Sequence, residues 1–346
     1  MRILYSAALS LLLLGGYVLQ AWAANPAFLS KDMLAPVRAD LTLGRANDAI
    51  ARLRSTLAAN PEDAEAHNLL CRVYYQEEQW DDATGECETA VKLAPLDSDY
   101  HLWLGRAYGE KARSMHSINA YGLAKKVRRE FERSVELDRG NADALFDLGE
   151  FYAAAPGIVG GDKRKAQDMA QALEQYEPAQ ADQLRGFLAE KNKNYRLAEV
   201  DYRAEVEASG QPAEAWMDLA AFYSRRRQRE QMLRAVYTGI DADRKAAKPY
   251  GPALVDAATI LRSNNEEPQL AVQLFELYLA SPNQSADSPA FQVHVQLSRL
   301  LEQEGDQVGA TKQIEAAAAL ARRYHSAPLK AFESGELSID QKPAKE

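Results

Sequence analysis

The feature that most constrains this chain is a pair of apolar patterns that returns along almost its whole length. The clearest copy runs from Ala64 to Pro95 and reads AEAHNLLCRVYYQEEQWDDATGECETAVKLAP. Leu69, Leu70 and Tyr74 fall at helical spacing in its first half, and Ala83, Cys87 and Ala90 in its second. Such spacing predicts two amphipathic helices. The short polar run Glu77-Glu78-Gln79 separates them. Pro95 ends the second, because proline lacks the amide donor and clashes with the preceding turn. The first half returns with Leu104-Gly105 and Tyr108, with Leu148-Gly149 and Tyr152, and with Trp216, Leu219-Ala220 and Tyr223. The second returns around Phe131 and Leu137, as Ala166-Ala170-Leu173-Pro178, and around Ala198 and Tyr202. Weaker copies follow at Ala271-Phe275-Pro282 and Ala310-Ile314-Ala317, and Ala49 with Leu53 precedes the clear unit.

The pattern resembles the tetratricopeptide repeat, a helix hairpin of about 34 residues. The resemblance covers roughly Ala35 to Arg323 in about eight units, some degenerate. It implies an all-α fold, a right-handed superhelical solenoid of stacked antiparallel hairpins with a concave groove. Each hairpin alone leaves its apolar face open, so neighbours must stack. Gly105, Gly149 and Ala220 are expected where helices approach closely. The groove implied by the resemblance is lined by Asn68, Arg72, Tyr75, Leu102, Arg106, Phe146, Glu150, Met217 and Arg225. Aromatic and Arg residues of this kind tend to dominate binding energy. Some relatives grip a terminal carboxylate with paired Lys and Asn; Asn68 and Arg72 do not reproduce that set.

The ends add a location. Met1 and Arg2 precede an apolar run from Ile3 to Leu19, and Ala21-Trp22-Ala23 supplies small residues before Ala24. That is the pattern of a secretory signal peptide. A permanent outward-facing anchor is the rival reading, weakened by Gly15-Gly16 and by a run barely long enough to span a bilayer. The expected organisation is a signal peptide over 1–23, a repeat solenoid over 24–330 and a flexible tail over 331–346. The expected location is periplasmic or secreted. Net charge −9 and export together argue against a nucleic-acid partner.

Positive evidence for catalysis is absent. The chain contains no Gly-x-Ser-x-Gly and no His-Glu-x-x-His. His67, His101 and His294 occupy the register of Trp216, an aromatic slot, without a cluster of ligands at metal spacing. His116 and His325 have no evident partner. The stretch Pro156 to Lys163 is Gly-rich but lacks the Lys-Ser/Thr ending of a phosphate loop, and reads as a lengthened turn. No cofactor or metal is expected. The reading is a non-enzymatic scaffold that holds a protein or peptide.

Cys71 and Cys87 are the only cysteines and lie equally far from Gln79. In an antiparallel hairpin they stand at the same height, within reach of a disulfide. Two buried thiols acting as small apolar residues are the alternative; export favours the disulfide. Two insertions, Lys111 to Lys126 and Ala153 to Lys165, are expected to interrupt consecutive helix turns and to be neighbours on one edge. That edge is basic: Lys111, Arg113, Lys125, Lys126, Lys163, Arg164, Lys165, Arg226 and Arg227. An anionic surface is one partner it could meet; compensation of helix dipoles is the plainer account.

Overall fold

A computed structural model describes residues 26–115 and 119–326 of the chain. The predicted signal segment, His116 and the 331–346 tail lie outside the described residues. Contacts divide the chain into residues 1–35 and a body of residues 36–346. Of the first unit, residues 26–35 are described as helix, with Leu34 buried and Met33 exposed.

The described residues form sixteen α-helices and no strand. They are α1 (Pro26–Thr42), α2 (Ala46–Ala59), α3 (Ala64–Gln76), α4 (Trp80–Leu93), α5 (Ser98–Ser114), α6 (Asn119–Leu137), α7 (Ala142–Ala154) and α8 (Lys163–Leu173). Then come α9 (Pro178–Lys191), α10 (Tyr195–Ala208), α11 (Pro212–Arg225), α12 (Arg229–Lys245), α13 (Pro252–Ser263), α14 (Pro268–Ala280), α15 (Ala290–Gln303) and α16 (Gln307–Leu320). Odd and even helices pair into hairpins, and consecutive hairpins stack. The expected all-α solenoid is what the chain forms.

Local chemistry sets the helix ends. Acids cap several first helices: Asp63 accepts from the Ala66 amide at 3.0 Å and Asp97 from the Tyr100 amide at 3.1 Å. Pro178, Pro212, Pro252 and Pro268 open four helices, where a missing amide costs nothing. Six of the hairpin turns share one device. A residue with positive φ (Gly44, Glu78, Lys193, Arg227, Asn265 or Gly305) follows the first helix. The next amide then reaches back five residues, as Gln79 N to Tyr74 O and Asn194 N to Ala189 O, each at 2.9 Å.

The two hairpins without this turn are those carrying the insertions. The first insertion corrects the expectation of a loop. Lys111 to Ser114 continue α5, and Asn119 to Lys126 open α6, because Ala, Leu, Arg and Lys there are good helix formers. The second does form a loop, with a short 3-10 turn at Gly157–Val159 and Asp162 capping α8. A side chain at Gly160 would meet the Arg128 side chain of α6, so the second insertion packs against α6, two residues beyond the end of the first.

Two recurring side-chain ladders hold the stack. Within hairpins, His67 Nδ1 meets Glu86 at 2.5 Å, His101 Nδ1 meets Glu130 at 2.7 Å, and His294 Nδ1 meets the Gln313 side-chain oxygen at 2.6 Å. Between hairpins, each Tyr of the repeat reaches the preceding second helix. Tyr152 donates to Glu132 and Tyr223 to Glu199, both at 2.7 Å, and Tyr108 donates to Glu88. Close approach needs small residues: a side chain at Gly105 would strike Phe131, and one at Gly149 would strike Leu184 of the following hairpin. Cys71 and Cys87 form a disulfide between α3 and α4, with Cα atoms 5.3 Å apart.

The body 36–346 closes on itself. Asn47 on α2 donates to Ala319 O and accepts from the Arg322 amide, both at 2.9 Å. Gln76 donates to Ala286 O, and Gln292 donates to Gln76 O, both at 2.7 Å. Arg323 pairs with Glu78 at 3.3 Å. A side chain at Gly44 would collide with the backbone of Pro289 and Ala290. The groove expected from the repeat is therefore enclosed.

Two measurements follow from these elements. Lys193 holds a left-handed conformation that costs a residue with a Cβ about 1 kcal/mol. Lys193→Gly raises the urea midpoint by a corresponding amount, with m unchanged. Denatured, unreduced protein shows no free thiol, and replacing both cysteines by Ala lowers stability by about 3 kcal/mol, the loop entropy of a 16-residue closure.

Candidate functional site

The inner wall of the closed body is the candidate site. It begins on α3, where Asn68, Arg72 and Tyr75 share one helix face. Tyr75 packs edge-on against Trp80 and Trp103, with centroids 5.5 and 5.6 Å away. The guanidinium carbons of Arg72 and Arg106 stand 4.5 and 4.9 Å from the Trp103 ring centroid. An indole between two guanidiniums is a strong cation–π arrangement. Arg106 also bonds Asp147 at 2.5 Å and lies 3.4 Å from Asp143. Burial works against the Arg106 charge, but Asp147 more than offsets it and its pKa is raised. Burial pushes the Asp147 carboxyl up, against the pull of Arg106. The pair is ionised, because arginine keeps its proton in proteins.

Arg72 differs from Arg106. Burial lowers its pKa, the neighbouring Arg106 lowers it further, and its Nε is buried without a hydrogen-bond partner. Asn68, 5% exposed, likewise keeps a buried Nδ2 without a partner. Buried donors of this kind are costly unless something accepts from them.

The wall continues with carboxylates. Glu150 on α7 is pushed up to about 7, by burial first and by Asp147 second. Asp218 on α11 accepts from Gln183 at 2.9 Å and faces Glu205 of α10. Glu205 is 5% exposed, and burial followed by Asp218 raises its pKa strongly, so it carries a proton that Asp218 accepts. Asp256 on α13 is also pushed up to about 7, by burial and then by Asp218, Glu214 and Asp287. Asp256 presents an exposed surface to water, yet burial dominates its titration. Both hold for a carboxylate in an enclosed space that water enters. Asp287 lies in the segment before α15 and acts across this space: its field reaches Arg72 and Tyr75 on α3, Glu214 on α11 and Asp256 on α13.

The expected groove residues divide. Asn68, Arg72, Tyr75, Arg106 and Glu150 belong to this wall. Phe146 is half-buried and packs on the Leu145–Leu184 core cluster. Leu102 and Met217 are 2% and 3% exposed, so they support the wall from within. The residues one step further, Trp103, Asp147 and Asp218, supply its polar surface. These and Asp256 stand two positions before the small residue of their helices (Gly105, Gly149, Ala220 and Ala258), a register visible in the sequence but not read there. Arg225 is bonded to Glu190 through two contacts of 2.8 Å.

The basic edge is largely compensated. Lys111 meets Asp81 at 2.7 Å, Arg113 pairs with Glu110, Lys126 lies 3.9 Å from Glu88, and Lys165 lies 3.8 Å from Glu132. Arg226 stacks over Tyr195, and Arg227 takes the left-handed turn position. Lys125, Lys163 and Arg164 remain exposed. Among the described residues no group of three His, Cys, Asp or Glu side chains could hold a metal ion, and no helix is long and apolar enough to cross a membrane.

Comparison with known proteins agrees with the repeat. Residues 41–106 match the tetratricopeptide repeat family model. Among solved structures, yeast Tom70 is similar, with TM-score 0.52 and 17% identity over 84% of this chain. The chain spans 58% of the Tom70 chain. A thermophilic TPR protein of Thermus thermophilus gives TM-score 0.48 and 18% identity, covering 56% of this chain and 97% of that one. No curated protein sequence matches.

The wall makes stability depend on pH. Glu150 has a folded pKa near 7, above its unfolded value, so its contribution is complete below about pH 4 and is lost as pH rises through 7. Glu150→Gln therefore flattens the decline in stability between about pH 5 and pH 8, read by urea denaturation at each pH. An unchanged slope would overturn the assignment.

Proposed function

We propose that this chain is an exported, non-enzymatic scaffold that binds a protein or peptide segment in its enclosed groove. One observation supports the reading above others. Arg72 Nε and Asn68 Nδ2 are buried donors left without a partner inside the protein, whereas the charges of the outer edge mostly have partners. Trp103 between Arg72 and Arg106 adds a rigid aromatic anchor of the type that dominates interfaces. Repeat folds serve many pathways, so the site and not the fold carries this reading. The location outside the cytosol rests on the N-terminal sequence pattern.

Tagged protein crosslinked in its producing cell and read by mass spectrometry tests the proposal. Specific crosslinked proteins are expected with the wild type and with Lys125→Glu/Lys163→Glu, and are lost in Trp103→Ala/Arg72→Ala. If the edge variant loses them and the wall variant keeps them, the partner sits on the outer edge, the surface suited to an anionic partner.

A further inference from the structure

We propose that the edge carrying the two insertions docks on an anionic lipid bilayer, with Ile158 and Tyr121 entering its interface and Lys125, Lys163 and Arg164 meeting its head groups. This goes beyond the groove reading and uses none of the groove residues.

The backbone brings these residues to one edge. Tyr121, Lys125 and Arg128 recur at helical spacing on one face of α6. Arg128 leads to the second insertion, because a side chain at Gly160 would meet it. Ile158 stands two residues before Gly160, and Lys163 and Arg164 open α8 shortly after it. Tyr121 is 53% exposed and Ile158 75%. Single exposed apolar residues are ordinary on a protein surface. Two of them beside unpaired cations, on the segments added to the repeat, make the mixed surface that enters a membrane interface.

A second observation separates these cations from the rest of the edge. Helix dipoles favour cations at C-terminal ends, and Lys111 and Arg113 in the last turn of α5 obey that rule. Lys163, Arg164 and Lys165 fill the first turn of α8, where the dipole disfavours them and no acid stands. The Asp162 carboxylate before them serves as the cap, accepting from the Arg164 and Lys165 amides at 2.9 and 3.4 Å. Lys165 has Glu132 at 3.8 Å. Lys125, Lys163 and Arg164 are exposed and enter no ion pair among the described residues. Dipole compensation therefore does not account for Lys163 and Arg164, and an anionic partner does. The apolar neighbours select which anion. Ile158 gains nothing from a soluble polyanion, but a bilayer interface buries it, and tyrosine suits the head-group level.

The test places a nitrobenzoxadiazole dye on Ile158→Cys in the intact protein and titrates it with vesicles of equal parts phosphatidylglycerol and phosphatidylcholine. Cys71 and Cys87 are joined, so the new thiol alone takes the label. Emission is expected to rise and shift to the blue with these vesicles, and to stay unchanged with phosphatidylcholine alone. The same dye on Val308→Cys, a position 83% exposed on α16, is expected to stay unchanged with both, which separates docking by this edge from binding by the apolar N-terminal run. Adding Lys163→Ala/Arg164→Ala raises the lipid concentration at half-maximal signal by about fivefold per charge removed. In flotation with the anionic vesicles, unlabelled Ile158→Ser binds about tenfold more weakly, and Lys312→Ala on α16 binds as the wild type does. All these side chains are exposed, so the variants fold. No emission change at position 158 overturns the inference. An equal change at position 308 overturns it in favour of diffuse adsorption. If Lys163→Ala/Arg164→Ala loses the vesicles and Ile158→Ser keeps them, the edge meets a polyanion or an acidic protein face, and the bilayer fails as its partner. Each of these outcomes leaves the groove reading standing, because that reading is tested separately by Trp103→Ala/Arg72→Ala.

Discussion

Each hairpin of this chain has an apolar face that only its neighbour can cover, and the rest of the structure depends on how that cover is made. Apolar burial supplies the energy, as in the continuous cluster running from Ala189 to Leu300. Burial is non-directional, and direction comes from the polar ladders. A tyrosine of each of several hairpins donates to the preceding second helix, and a histidine ties the two helices of one hairpin. Because the same bonds recur at equivalent positions, each hairpin is set on the last with a similar rotation. Repetition of that rotation gives the solenoid its curvature.

Curvature has a consequence that no single repeat contains. After one passage through the hairpins, the body returns to its beginning. Asn47, Gln76 and Glu78 meet residues more than two hundred positions away. Gln76 and Asn47 carry two or more of these bonds each, and each bond is worth about 1 kcal/mol net. Gly44 permits the backbones to touch there, because any Cβ would meet Pro289 and Ala290. The seam turns a groove into an enclosed space.

Enclosure changes the electrostatics of whatever faces inward. Asp256 and Glu150 on an open surface would titrate as ordinary carboxylates; surrounded by protein and by other acids, both move up to about 7. Arg72 loses part of its preference for charge for the same reason. The outer edge shows the contrast. Lys111, Lys126 and Lys165 find carboxylates in a solvated setting, where such pairs contribute little.

The sequence by itself determined the repeat. Leu-Gly with Tyr in first helices, and Ala with Ala in second ones, set helix type, hairpin pairing and close approach, because those are short-range consequences of side-chain size and spacing. The pairing of Cys71 with Cys87 was legible for the same reason: two helices and one turn decide it. The register of Asp147, Asp218 and Asp256, two positions before a small residue, is also present in the sequence, one step from the apolar Phe146 and Met217 in the first two cases. The helical continuation of the first insertion could have been read from propensity. The tertiary structure alone decided that Asn47 would meet Ala319, that Asp287 would act on Arg72, and that Asp218, Glu214 and Asp287 would act together on Asp256. These contacts join residues far apart in the chain, and their distances come from a small rotation summed over the successive hairpins. No local pattern encodes that sum.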